Sequence, residues 1–484
     1  MPQLTLSIET MSEEVSPDAL VLQRVEGVEA ISELYRYELT FAVGDDNGLS
    51  PEAQDDLLRK PCRIRFGIEG EEHEVHGMIS RLRMHSVDEK GGVRFTATLV
   101  PRVWTATQVV RSRVFQDLDP PSLVAAVLAE HGLKPGAGLE MRVDGSYSPS
   151  EYTVQYQESD YDFINRVMEH HGIFWFLRQD PDGETLVVGD SNRAFDRLGD
   201  APVTYEPRHD DQWWDRPAVI HALERTLTPR PTTVVLRDYN WRTPDVPLHV
   251  EAAADTTTGI GLYNRYGDHF KTPEEGQRLA RVRAEQLLVD RERYHMRGRI
   301  VGLGCGHRIE ITGHPYGEMD IEYVVTRIRH RAGDLAAGEH MQEIEAIPYS
   351  VPFRPALRTP KPRILGLMHG FVDGAVPGTA APIDRYGRYK VLLPFDLAGR
   401  PGGKASRWIR LAQPASGPGY GIHFPLHIGA EVAISHVDGD PDRPVIVASP
   451  PNAKTLTPVT DANATQSKIR TQTGIRITFD DDVA

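Results

Sequence analysis

Cysteine is nearly absent from this sequence, which holds two, Cys62 and Cys305, in 484 residues. Their separation matches no metal-ligand spacing, and two thiols make no disulfide framework, so both read as small buried hydrophobes. Long apolar runs are missing as well. No stretch approaches the roughly 20 residues that a membrane-spanning helix needs, and a water-soluble chain is expected. Positive charge is in deficit: 54 Lys and Arg stand against 69 Asp and Glu, a formal charge of −15. Nucleic-acid affinity rests on basic patches and counterion release, so no nucleic-acid partner is expected. The acidity is spread along the chain, as suits a surface kept soluble by repulsion or one that meets basic partners. The opening residues from Met1 to Thr10 alternate like a strand and lack a charged leader and an apolar signal core. Cytoplasmic synthesis without a signal peptide is the expectation.

What is present is mostly strand. Arg63 to Ile68, Arg94 to Val100 and Arg308 to Thr312 alternate with period two and read as half-buried antiparallel strands. Three helices stand out. One starts at Pro120-Pro121, places Val124, Val127 and Leu128 on one face and stops near Gly132. A second runs from about Tyr161 to His171, is stopped by Gly172, and is followed by a buried strand, Ile173 to Leu177. The third, from Pro273 to about Arg293, carries Ala280, Ala284, Leu287 and Leu288 on one stripe and reads as a helix docked on a sheet. Five prolines between Pro348 and Pro362 exclude helix and central strand and mark a linker. Short strands between Gly, Pro and Asp turns follow, the pattern of a small barrel. After Pro450-Pro451, Ser467 to Phe479 alternates around Gly474 with no evident local partner.

Three motifs invite a chemical reading and fail on spacing. Gly302-Leu303-Gly304-Cys305-Gly306 leads into a strand, with no helix N-terminus to receive an anion, and reads as a turn. His170 and His171 are adjacent on a helix, so their side chains diverge by about 100° and do not grip one metal. Asp480-Asp481-Asp482 lacks the spaced oxygens of a calcium loop and reads as a solvated turn. No Gly-x-Ser-x-Gly elbow and no catalytic cysteine signature occurs. A Ser/His/Asp triad or a carboxylate pair assembled from distant segments is not addressed by motif spacing alone.

Residues 151–177, from Glu151-Tyr152-Thr153-Val154-Gln155-Tyr156 through Ser159-Asp160 to Gly172-Ile173-Phe174-Trp175, resemble the family-typical segment of the valine-glycine-repeat (VgrG) spike proteins of type VI secretion. Collinear matches are Val235-Leu236-Arg237-Asp238-Tyr239-Asn240-Trp241, Glu275 to Arg281, Ile311 to Pro315 and Tyr323 to Thr326. Asp384 to Val391, Trp408 to Pro414, Gly429 to Val432 and Asp438 to Pro444 resemble the family's oligonucleotide/oligosaccharide-binding (OB) barrel. The chain departs from the pattern at Tyr420, where a Trp is common, and at Pro450-Pro451-Asn452.

The resemblance implies a mainly β, α+β architecture. Residues 1–350 would form a hub of β-barrel-like subdomains with α/β insertions, 351–362 a Pro-rich linker, 363–455 an OB-fold barrel, and 456–484 the start of an intertwined trimeric β-needle. Ile469, Ile475, Ile477 and Phe479 would turn to the threefold axis while Lys468, Arg470, Arg476 and Thr478 face solvent. It further implies a non-enzymatic homotrimer at the tip of a contractile machine. Its partners would be the hexameric tail-tube protein, baseplate components, a tip protein capping the needle, effector cargo and a membrane pierced mechanically. The spike would be assembled in the cytoplasm and secreted by contraction. No catalytic residue, cofactor or metal ligand is expected. The same architecture serves the hub of a contractile phage or phage-derived particle, and a spike-fused cell-wall hydrolase is the enzymatic alternative.

Overall fold

The computed structural model describes residues 4–16, 19–43, 48–68, 71–85, 93–207, 218–333, 340–396 and 402–481. The chain divides into two compact units. The first comprises 1–109, 120–148 and 159–360, and the second 110–119, 149–158 and 361–484. Two segments inside the range expected of the hub, 110–119 and 149–158, thus cluster with the C-terminal residues.

Thirteen strands of the first unit form one sheet. From one edge the order is Leu4–Thr10, Pro61–Ile68, Glu71–Met84, Arg94–Val100, Glu33–Val43, Leu20–Ala30 and Glu322–Ala332. It continues through His340–Pro348, Glu292–Ile300, Ala218–Leu227, Val203–Tyr205 and His307–Thr312 to Asp196–Arg197. Glu322–Ala332 also pairs with His307–Thr312, so six strand pairings return on themselves. Leu4–Thr10 comes back beside Leu20–Ala30. The sheet therefore curls around two apolar cores, one holding Tyr37, Phe41, Ile64, Phe66 and Phe95, the other Phe174, Phe195, Tyr294, Tyr323 and Ile344.

Alternation selects which face goes in. Ile64 and Phe66 are buried, while Arg63 and Arg65, which alternate with them, point outward and pair with Glu9 and Glu74. Ile309 and Ile311 repeat the pattern in His307–Thr312, although this strand is mixed: antiparallel to Glu322–Ala332 and parallel to Val203–Tyr205. Both cysteines are buried and free, and burial pushes the Cys62 thiol up to about 12.

Four α-helices occur among the described residues: α1 (Pro51–Leu57), α2 (Pro120–Glu130), α3 (Asp160–His171) and α4 (Pro273–Val289). α2 buries Leu123, Val124, Val127 and Leu128 and ends before Gly132, at φ +80°. α3 starts where the Ser159 hydroxyl accepts the Asp162 N–H at 3.0 Å, and ends at Gly172, φ +73°. α4 lays Leu279, Ala280 and Ala284 on Val234, Leu236, Leu248 and Val250 of a three-stranded sheet. It stops at Val289, four residues before the expected end. Tyr294 and Met296 alternate into the core within Glu292–Ile300, and strands on both sides take up that segment's backbone groups.

The proline-rich stretch is not free-running up to Thr359. The Asn192 amide donates to the carbonyls of Tyr349 and Val351 at 2.7 Å each and accepts the Phe353 N–H at 2.8 Å. Gln286 bridges the carbonyls of Glu169 and Pro355. The Glu169 carboxylate accepts the N–H groups of Arg358 and Thr359, each at 2.9 Å, and the Thr359 hydroxyl at 2.8 Å.

In the second unit the strand order is Val391–Leu392, Met368–Val372, Glu431–His436, Pro444–Ala448, Arg410–Leu411, and a bridge between Tyr389 and Ile409 joins the two ends. Its core contains Val372, Tyr389, Val391, Ile409, Val432, Ile434 and Ile446 together with Tyr152 and Val154. The Val154 N–H donates to Asp442 at 2.7 Å. The C-terminal stretch corrects the sequence reading, which found no local partner for it. Gln466–Arg470 pairs antiparallel with Asp480 back to Arg476, register Ile469 to Ile477, as a hairpin whose turn contains Gly474 at φ +96°.

Two predictions follow from these conformations. Gly387 (φ +66°) and Gly439 (φ +71°) close turns where a β-branched side chain is strained. Gly387→Val and Gly439→Val should each destabilise the second unit by about 1–2 kcal/mol, read as faster amide exchange in residues 363–455 with the first unit unaffected. Unchanged exchange would refute the turn assignment. The second concerns His171, whose Nδ1 accepts from Arg278 at 3.1 Å, with Tyr147 and His170 edge-on. Burial, then the charges of Arg278 and Arg283, push its pKa down to about 3. The unfolded imidazole titrates near 6.5, so this contribution is complete above pH 6.5 and is lost as pH falls below it, by up to about 1.4 kcal/mol per unit. His171→Gln should flatten the dependence of urea stability on pH over that range by about one proton; an unaltered slope would show that the folded imidazole is charged.

Candidate functional site

The family-typical segment works as a structural junction. The strand Thr153–Ser159 runs directly into α3, and Phe174–Asp180 returns from it. Trp175 is buried, and its indole N–H donates to Asn165 of α3 at 2.7 Å. His131 of the α2 exit contacts the buried Asp160 at 2.8 Å. Burial raises the Glu169 carboxyl above its ordinary value, against the pull of the donors from Thr359 and Arg358. These groups hold chain segments together.

The motifs that invited a chemical reading land as follows. His170 and His171 bond separate arginines, Arg283 and Arg278, each at 3.1 Å. Gly302 to Gly306 forms the turn before His307–Thr312. Gly306 sits at φ +85°, and a Cβ there would meet the Phe176 ring at 2.4 Å, so both conformation and space call for glycine. Asp480 ends the last strand and accepts from Thr465 at 3.0 Å and Gln466 at 2.8 Å. Asp482 lies outside the described residues.

A cluster that no spacing rule revealed sits in the first unit's core. Glu29, His73 and His330 come from three strands far apart in sequence, with Tyr37 and Cys305 beside them. Burial works to raise the Glu29 carboxyl, but the neighbouring imidazoles and the Tyr37 hydroxyl leave it below the ordinary carboxylate range. Burial, with His73 beside it, pushes the His330 imidazole down to about 3.

On the outside, the C-terminal hairpin is two-faced. Ile469 and Ile477 are direct cross-strand neighbours, and Ile475, Ile477 and Phe479 alternate on the same side, 47–72% exposed as a set. Lys468, Arg470, Arg476 and Thr478 occupy the opposite face by register. Four large apolar side chains on one side of a two-stranded hairpin form a surface suited to association.

Comparison with known proteins matches these parts in turn. The family model of the phage tail baseplate hub (GPD) covers residues 28–336, and that of the type VI secretion system/phage-baseplate injector OB domain covers 381–449. The type VI secretion system spike protein VgrG1a of Pseudomonas aeruginosa is 31% identical over 478 residues, 95% of this chain and 72% of the relative. VgrG1c of the same organism is 30% identical over 94% of this chain, which spans 63% of that relative's length. Among solved structures, the E. coli c3393 protein, a component of the type VI secretion system, superposes with a TM-score of 0.68. It is 21% identical, over 92% of this chain and all of that one. The half-lidded Francisella PdpA-VgrG complex gives 0.62 at 10% identity, over 100% of this chain and 84% of that one. With the hub model across most of the first unit, the injector OB model on the second, and nearly a third of residues shared with a curated spike protein, this chain belongs to the VgrG family of type VI secretion spike proteins, kin of the phage baseplate hubs.

Proposed function

We propose that this spike protein works as a homotrimer at the tip of a type VI secretion machine, joining the tail tube to a membrane-piercing needle rooted in the C-terminal hairpin. The observation that carries the reading is the apolar face of Ile469, Ile475, Ile477 and Phe479, open to solvent in one chain. A two-stranded hairpin is marginal alone in water. Three copies that turn these faces to a common axis bury them, at roughly 1.5–3 kcal/mol for each fully buried large side chain before ordering entropy is subtracted. The basic and polar opposite face stays in water. The family relation supports secretion over a phage particle, since the curated relatives at 30% identity or more are secretion spikes.

The work is mechanical on this reading. Sheath contraction drives tube and spike outward, and the spike concentrates force on a small area of the target membrane, carrying effectors with it. Baseplate components and a tip protein complete the assembly. Bond chemistry has no part in it.

Sedimentation should give three times the 54.1 kDa chain mass, and a stable monomer at micromolar concentration would refute the trimer. Ile475→Asp with Ile477→Asp should weaken trimerisation and speed amide exchange across 467–479, while Lys468→Ser with Arg476→Ser does little. Equal effects of the two pairs would remove the apolar face from the interface. Incubation with peptidoglycan, phospholipid, nucleotides or nucleic acid should leave each unaltered; turnover that a folded point variant loses would replace the mechanical reading with an enzymatic one.

A further inference from the structure

Several buried ring nitrogens in the core of the first unit have no hydrogen-bond partner, and His73 and His330 hold those that meet at one carboxylate. His73 Nε2 and both nitrogens of His330 are buried and unpaired, in a core where an unmade hydrogen bond carries the full cost of desolvation. The two imidazoles converge on one carboxylate. Glu29 Oε1 lies 3.7 Å from His73 Nε2 and 3.9 Å from His330 Nε2, too far for hydrogen bonds. Exposure of the three residues is 6%, 5% and 0%.

The carboxylate is held from behind. Glu29 Oε2 accepts the Cys305 N–H at 3.2 Å, and the Tyr37 hydroxyl bonds Oε1. The His73 and His330 rings stand 4.8 Å apart at 21°, and Phe66 meets each edge-on at 5.2 and 5.5 Å. We propose that Glu29 Oε1, His73 Nε2 and His330 Nε2 bind one divalent transition-metal ion of the zinc class inside the hub.

Two imidazole nitrogens and one carboxylate oxygen form the borderline donor set that zinc and cobalt accept. In a tetrahedron with bonds of about 2.05 Å the ligand atoms stand about 3.4 Å apart, so Glu29 Oε1 needs to close on each imidazole by only a few tenths of an ångström, while the two imidazole nitrogens, which lie within 4.8 Å of one another, draw together as the ion binds. A fourth position falls to water. The backbone donor on Oε2 and the hydroxyl on Oε1 fix the carboxylate as outer partners of metal ligands do. The ion would tie Glu71–Met84 to the paired strands Leu20–Ala30 and Glu322–Ala332, which come from opposite ends of the sequence. Because the ligands are enclosed, loading accompanies folding.

The test uses the untagged full chain, unfolded in chelator and refolded with Co2+, with Zn2+ or with chelator alone, then desalted for elemental analysis. About one metal per chain should be retained, with the intense visible bands of low-symmetry cobalt and a higher Tm than the chelator-refolded protein. Glu29→Gln, His73→Phe and His330→Phe should each lower affinity at least about tenfold. His340→Phe is the ligand control: His340 stacks on His330 at 5.8 Å but lies outside the set, and its replacement should keep the metal. Wild-type chain that refolds without retaining cobalt overturns the proposal, whatever the variants do. Retention with the weak spectrum of six-coordinate aqua cobalt, or loss in His340→Phe alone, overturns the ligand assignment.

Discussion

A proline-rich segment has few N–H groups with which to fasten itself, and the first unit engages several of those between Pro348 and Pro360. Phe353 gives its N–H to Asn192, and Arg358 and Thr359 give theirs to Glu169. The carbonyls, which proline retains, are met by the amides of Asn192 and Gln286. Arg354 reaches back to the carbonyl of Gly172 at 2.9 Å and pairs with Glu285 of α4. The strap therefore fixes α3, α4 and the return after Gly172 in one network. Glu169 is its centre: without a partner, a buried carboxylate at that position would be costly.

That junction explains why residues 151–177 form the most readable stretch of the sequence. Its structure is set by local rules. Ser159 caps the helix, Gly172 takes the left-handed conformation that ends it, and α3 buries the apolar positions Phe163, Ile164, Val167 and Met168. Strands were legible for the same reason, since burial alternates residue by residue at Ile64 and Phe66 or Ile309 and Ile311. The error at the end of α4 is equally local in origin. Asp290 to Arg293 carries the alternating charge of a solvated helix face, and only pairing with two neighbouring strands decides that it bends into a sheet.

What lay beyond the sequence depends on contacts between distant residues. Leu20–Ala30 lies beside Glu322–Ala332, a pairing that no period or turn signal announces. The cluster of Glu29, His73 and His330 follows from that curl, so a search for ligands at fixed spacing passes over it. Segments 110–119 and 149–158 fall within the range expected of the hub, yet Tyr152 and Val154 fill the core of the second unit. The hairpin at 466–480 was missed because its turn, Thr471 to Ile475, holds only one glycine, and the chain on either side reads as one continuous alternation.

In the proposed trimer, the self-paired hairpin changes what association has to supply. Lone strands would need other chains for their backbone hydrogen bonds as well as for burial. Here the Gln466–Arg470 and Arg476–Asp480 ladder satisfies the inward backbone groups within one chain, while two outer edges and one apolar face stay open. Association then draws mainly on side-chain burial, which is non-directional, and the register of the assembly must come from elsewhere. The polar face supplies part of it: Arg470 lies directly across from Arg476, and a like-charged pair of this kind is tolerated only where water screens it. A hairpin rotated to carry those arginines inward would bury charge without a partner, a cost several times the gain from any one isoleucine. In the proposed assembly one orientation is thereby favoured by the penalty for the other, with the basic face of the hairpin as the side that would remain in solvent.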